Sequence, residues 1–150
     1  MACTKFSVEF EAKSDAQKIW DFVKNFHIIC RKAFPQVFDS VEVVEGDGNS
    51  TGTVRVIKYV PGIPVTNIKE KLDLVDDEKK IISYTFLGGD IFQIYKSFKA
   101  TLVLNPKGDG TIMKYYGEFE RAKGAEAFAL SVQDFIDFTF GALDKYLLTK

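Results

Sequence analysis

The sequence predicts an α+β domain in which one strongly bent antiparallel sheet wraps a long C-terminal helix. Three observations carry that expectation. First, the stretch 125–148 has helical periodicity. Phe128, Val132, Phe135, Thr139, Ala142 and Tyr146 recur at three- and four-residue steps, and Ile136, Phe140, Leu143 and Leu147 widen the stripe. Second, most of the chain before it alternates apolar and polar residues in short runs closed by turn residues, the pattern of strands. Third, no repeat or linker divides the 150 residues, a length that fits one domain, 1–150, with one sizeable core. A helix over 125–148 spans roughly 35 Å at about 1.5 Å per residue. An apolar face of that length needs a large cover.

The elements follow in order. Thr4, Phe6, Val8 and Phe10 alternate with Lys5, Ser7, Glu9 and Glu11, a half-buried strand. Ser14 reads as an N-cap with Gln17 three residues on, opening a short helix over 16–23 that turns Ile19, Trp20 and Val23 inward. Asn25 breaks it, and a second short helix runs to about Ala33, before Pro35. Strands are expected over 38–45, 54–60, 65–75, 80–87, 92–104 and 111–121. The glycines of 46–53 suit a tight turn with positive φ inside a hairpin. A phosphate loop needs a following helix and a Gly-Lys-Ser/Thr ending, and neither is present.

Composition excludes several classes. Apolar residues make up 46% and the net charge is −1, against disorder, a nucleic-acid footprint or a polybasic membrane anchor. No apolar run approaches the roughly 20 residues that span a bilayer. Met1-Ala2-Cys3-Thr4-Lys5 is not followed by an apolar signal core, so a cytoplasmic protein is expected. Cys3 and Cys30 form no motif and are expected as free thiols. Fourteen phenylalanines and six tyrosines imply either an aromatic core or a cavity lined by rings.

Several motifs carry a resemblance. Phe34-Pro35 and Val41-Glu42-Val43-Val44-Glu45-Gly46-Asp47-Gly48, in this order of elements, resemble the plant pathogenesis-related proteins and the norcoclaurine synthases. Tyr95-Lys96-Ser97-Phe98-Lys99 and Pro106-Lys107-Gly108-Asp109-Gly110 resemble the major-latex-protein branch, as does a glycine loop one residue longer than the usual pathogenesis-related form. The whole chain thus resembles the birch-pollen-allergen superfamily, with its helix-grip (START-like) fold. The resemblance implies seven strands, two short helices and one long helix, with a large hydrophobic cavity between sheet and long helix. It implies an allergen-like plant-defence protein carrying small hydrophobic molecules: hormones, flavonoids, sterols or alkaloids. It also implies a structural glycine loop.

The expected pocket residues are Phe22, Phe26, Phe34, Phe38, Ile57, Tyr59, Tyr84, Phe98, Leu102, Tyr115, Phe119, Phe135, Ile136 and Thr139, each on an inward face or in the short helices. The cavity is expected to measure several hundred Å³. The single histidine, His27, cannot make a clustered metal site, so no metal and no cofactor are expected. No Ser/Cys/His arrangement matches a nucleophile motif. Val65, Asn67, Lys69 and Lys71 share one face of a strand, and Thr66, Ile68, Glu70 and Leu72 the other. Alignment to the pathogenesis-related members turns the first set inward, which would bring Lys69 and Lys71, with Arg55, near the chamber. Hydrophobicity favours the second set. Should the three cations reach the chamber they would suit an acidic or phenolic ligand, but snorkelling at the rim is the favoured reading.

Resemblance to the norcoclaurine synthases places Lys114 at their lysine position and Tyr95 at their tyrosine position, with Ser97 where that family has an acid. Strand parity opposes this set, because Met113, Tyr115 and Phe119 form the apolar row and leave Lys114 and Glu118 facing water. The leading expectation is therefore a carrier or sensor of small hydrophobic ligands, monomeric or weakly dimeric, without nucleic-acid or membrane partners. The rival is an enzyme of the same fold, condensing or isomerising alkaloid-like substrates. A third reading, docking of a protein at the cavity edge as in some hormone receptors of the superfamily, needs a gate loop. Pro61-Gly62-Ile63-Pro64 and Leu87-Gly88-Gly89-Asp90 have only the length of turns.

Overall fold

Among the described residues the alternating runs become seven strands, and the periodic runs three helices. In chain order these are β1 (Thr4–Ala12), α1 (Ala16–Lys24), α2 (Phe26–Ala33), β2 (Phe38–Glu45), β3 (Val54–Tyr59), β4 (Asn67–Asp76) and β5 (Ile81–Gly88). A 3-10 turn (Asp90–Gln93), β6 (Tyr95–Lys107), β7 (Gly110–Arg121) and α3 (Val132–Leu148) complete it. The structure, a computed structural model, describes residues 3–124 and 132–150, with the backbone alone at 132 and 135. The helix expected over 125–148 is thus described from Val132 onward, and 125–131, with Phe128, lie outside the described residues.

All strand pairs are antiparallel, in the order β1-β7-β6-β5-β4-β3-β2. The first strand thus pairs with the last, and β1 and β2 form the two edges. α2 packs on β2, α1 on β6 and α3 on β1. Gly117 sits mid-strand in β7, where a Cβ would lie 2.1 Å from the Lys99 carbonyl oxygen. Only glycine lets β6 and β7 approach this closely here.

Local chemistry moved some boundaries. α1 is capped by Asp15, not by Ser14: the Asp15 carboxylate accepts from the Gln17 amide at 2.8 Å and the Lys18 amide at 3.3 Å. Ser14 is turned inward instead, where its amide donates to Asp144 of α3. Asn25 ends α1 and starts α2, and its side chain donates to the Asp21 carbonyl. β4 begins at Asn67 rather than 65, because Asp90 captures the amides of Thr66 and Asn67. The strand expected over 92–104 starts at Tyr95, after the 3-10 turn, and runs on to Lys107.

The loop 46–53 has the expected backbone, with Gly46, Gly48 and Gly52 at φ of 83°, 104° and 94°. Asp47 organises it by accepting from the Asn49 amide and the Ser50 hydroxyl. Thr53 accepts from the Gly48 amide, and Asn49 reaches Asn25 at the α1–α2 corner. Gly48 also lies under His27, where a Cβ would meet Nε2 at 2.4 Å.

The interior divides into two hydrophobic clusters. The larger joins Ile19, Trp20 and Phe22 of α1, Leu72, Ile82, Phe98, Leu102, Leu104, Met113, Tyr115 and Phe119 of the sheet, and Ile136, Leu143 and Leu147 of α3. The smaller gathers Ile57, Ile68 and Ile91 with Phe38, Val41 and Tyr59 around them. Phe26, Phe86 and Tyr95 pack against both.

Candidate functional site

Register and the two-residue side-chain period decide which residues face the interior. On β3 the inward set is Arg55, Ile57 and Tyr59. Arg55 pairs across to Glu70 and Ile57 to Ile68 on β4. Leu72 then faces Tyr84, Leu102 faces Tyr115, and Phe98 faces Phe119 along successive strands. The rings form a continuous layer. Phe86 stacks on Phe98 at 4.7 Å between centroids, Phe98 on Phe119 at 6.1 Å, and Tyr95 contacts both Phe98 and Phe119. Phe22, Phe34 and Tyr146 join the short helices to α3, and Phe26 meets Phe38 edge-on at 5.0 Å.

Two polar pairs interrupt this apolar surface. Arg55 Nη2 donates to Glu70 Oε1 at 3.1 Å, with the residues 4% and 5% exposed. Burial pushes the Glu70 carboxyl above its usual range, against the pull of the Arg55 guanidinium. The hydroxyls of Tyr84 and Tyr115 bond to each other. Desolvation raises both phenols, and the nearby Glu70 charge adds to it, so they remain protonated donors at neutral pH. Tyr59 is raised for the same two reasons. Where one tyrosine hydroxyl donates to the other, the accepting one keeps its own proton for a further partner.

Most expected pocket residues come together. Phe22, Ile57, Phe98, Leu102, Tyr115, Phe119 and Ile136 are buried. Phe26, Phe34, Phe38, Tyr59 and Tyr84 are half-buried against the clusters. Thr139 is half-exposed on α3. The side chain of Phe135 lies outside the described residues. The two depressions described, of about 350 and 250 Å³, are on the outside of the sheet and at the α1 start, so neither is the cavity expected between the sheet and the long helix.

The lysines do not join them. In β4 it is Ile68, Glu70 and Leu72 that are buried, and Lys69 and Lys71 are exposed. The pathogenesis-related register therefore does not hold at β4, where the apolar pattern decides the facing. Arg55 corrects the snorkelling expectation: it is enclosed, because Glu70 opposite supplies a buried counter-charge. Lys114 is outward, its side chain 51% exposed and 4.0 Å from Glu9. Tyr95 pairs with Arg121 and Lys114 with Val103, eight residues along β6, so they stand about 26 Å apart along the strand at about 3.3 Å per residue. Ser97 is exposed. The synthase-like set of Lys114, Tyr95 and Ser97 is not assembled.

Glu70 is the residue that sequence reasoning missed. Its signal was available, since the apolar neighbours Ile68 and Leu72 share its parity. Among the described residues no three His, Cys, Asp or Glu side chains gather to hold a metal. His27 is half-buried between α2 and the glycine loop, and desolvation with the Arg55 charge lowers its pKa against the pull of Asp47. Cys3 is exposed and Cys30 buried, and both are free. Among the described residues no helix is long and apolar enough to cross a membrane.

Known proteins resemble this chain in sequence and in fold. MLP-like protein 423 of Arabidopsis thaliana is 37% identical over 142 residues, covering 94% of this chain and 92% of that protein. Among solved structures, Ara h 8.0201 superposes with a TM-score of 0.80 at 23% identity, over 99% of this chain and 100% of the other. A norcoclaurine synthase point mutant from Thalictrum flavum, in complex with a transition-state analogue, superposes with a TM-score of 0.76 at 23% identity, over 99% and 96%. Both structures show the likeness of fold. The profile of the family described as "Pathogenesis-related protein Bet v 1 family" matches residues 1–150, and the chain belongs to that family.

Proposed function

We propose that the protein binds small hydrophobic plant metabolites or hormones in a chamber between the sheet and α3, and carries or senses them. The observation that supports this reading is the inner face of the sheet. Aromatic rings cover it continuously, yet it holds hydrogen-bonding groups, the Arg55–Glu70 pair and the Tyr84–Tyr115 pair, in the pattern of a site that orients a mostly apolar ligand. Affinity would come chiefly from burying apolar ligand surface, at about 25 cal/mol per Å² removed from water. Free Cys3 and Cys30 fit a protein working in a reducing compartment, the cytoplasm. The test is a titration with the neutral fluorescent probe N-phenyl-1-naphthylamine, followed by displacement with flavonoid, sterol, hormone and alkaloid panels. Saturable binding at one site per chain is expected, and the absence of saturation removes the carrier reading.

One observation favours the enzymatic rival. Glu70 is a buried acid on the inward face, raised in pKa, near Tyr84 and Tyr115. General acid–base catalysis requires such a tuned group at the reacting atom. Product analysis with amine–aldehyde and alkaloid substrates decides it: turnover lost in Glu70→Gln would promote the rival.

A further inference from the structure

Arg55 offers more donors than the protein uses. Of its nitrogens, Nη2 bonds Glu70, while Nε and Nη1 are buried and have no partner among the described residues. His27 Nδ1 is buried and unpartnered as well. The Arg55 Cζ stands 5.6 Å from the ring centroid of Phe26 on α2, and the Arg55 charge reaches His27, the next residue of that helix. A buried donor without an acceptor is costly, and structures rarely leave one so. Guanidinium has donors only, in a planar fork, so its complement must bring oxygen lone pairs.

The place matters as much as the chemistry. Phe26, under the guanidinium, packs against both hydrophobic clusters, and so does Phe86, opposite Glu70 in the β4–β5 register. The orphaned fork therefore lies at the seam between two apolar surfaces.

We propose, building on the carrier reading, that the natural ligand is an apolar ring system bearing a carbonyl-type acceptor oxygen, which Arg55 binds at this seam. Glu70 sets the charge requirement. Arg55 and Glu70 together are neutral, so a ketone, ester or lactone enters without leaving a net charge. A carboxylate has the same acceptor oxygens, but it enters only with uptake of one proton.

The test displaces N-phenyl-1-naphthylamine with shape-matched naphthalenes: 2-acetylnaphthalene, 2-isopropenylnaphthalene and 2-naphthoic acid. The hydrocarbon is the more hydrophobic, so an interior that reads only apolar area prefers it. The expected result is that the ketone displaces at a concentration at least about tenfold lower than the alkene. The acid should bind with a calorimetric heat that varies with buffer ionisation enthalpy. In Arg55→Met/Glu70→Leu, where apolar groups replace the buried pair, the preference for the ketone over the alkene should vanish. Arg55→Lys is the second variant, retaining the charge without the fork, and should reduce the preference.

Equal competition by ketone and alkene overturns the proposal and assigns the Arg55 fork to water. Persistence of the preference in both variants overturns it too. Direct calorimetry separates this from the carrier reading. Ketone binding that needs Arg55, without probe binding, keeps the anchor and sinks the general carrier; no binding of any of the compounds sinks both.

Discussion

Asp144 fastens the end of α3 to the rest of the chain, and removing it should loosen the grip on the helix. Its carboxylate accepts from the Lys13 amide and the Ser14 amide, each at 2.9 Å, at the turn between β1 and α1. Thr111 of β7 donates to the Ser14 carbonyl at 2.9 Å, so strand, turn and helix are joined at one point. Asp144→Ala leaves the two amides without their acceptor, at about 1–3 kcal/mol for each buried donor, or about 3 kcal/mol with partial relaxation. For a chain of this size about 1 kcal/mol moves Tm by about 2–4 °C, so a fall of about 6–12 °C is expected by calorimetry. Asp144→Asn, which keeps one acceptor oxygen, should fall by about half as much. The pH dependence has a fixed sign. Burial alone would raise the Asp144 carboxyl, but the hydrogen bonds from Ser14 and Lys13 outweigh it and hold the pKa below the ordinary value. Its contribution is therefore complete above the unfolded value, about 3.9, and is lost as pH falls through the lower folded value. The gap between wild type and Asp144→Ala should start closing below about pH 5. A variant within about 1 °C of wild type, or a gap unchanged from pH 7 to pH 3, refutes the clamp.

Three further outcomes are expected. Gly48→Ala should cost about 1–2 kcal/mol more than Gly52→Ala, because both strain a positive φ but only Gly48 lies against His27; denaturant titration reads the difference, and His27→Ala should recover part of it. Lys114→Ala should shift stability by under about 0.5 kcal/mol and leave N-phenyl-1-naphthylamine binding unchanged, whereas Tyr115→Ala should cost about 3–5 kcal/mol and weaken the probe. Arg55→Met alone should destabilise by about 3–5 kcal/mol by stranding Glu70, and adding Glu70→Leu should restore most of it in urea titrations.

Much of the fold was legible because period and turn chemistry act locally. The alternation in β1, the positive-φ glycines of 46–53 and the outward parity of Lys114 all survive in the structure. What sequence reading missed depended on partners distant in the chain. Ser14 has the right chemistry for a cap, but Asp144, 130 residues away, takes its amide and leaves the cap to Asp15. Thr66 reads as strand until Asp90 withdraws its amide. Arg55 reads as a rim cation until Glu70 faces it across β3 and β4. For the site, the aromatic rows were readable from parity. The buried ion pair was not recognised, because the charged residues in β4 pointed attention to Lys69 and Lys71 rather than to the acid between them.

The most direct test of the central claim is methyl NMR of the protein titrated with N-phenyl-1-naphthylamine. Binding in a chamber predicts saturable shift changes, with one common Kd, at the inward methyls of Ile57, Ile68, Leu102 and Ile136. The outward methyls of Val44, Leu74 and Leu87 should stay unmoved. Shifts confined to the outward methyls, or growing linearly without saturation, contradict an interior ligand site.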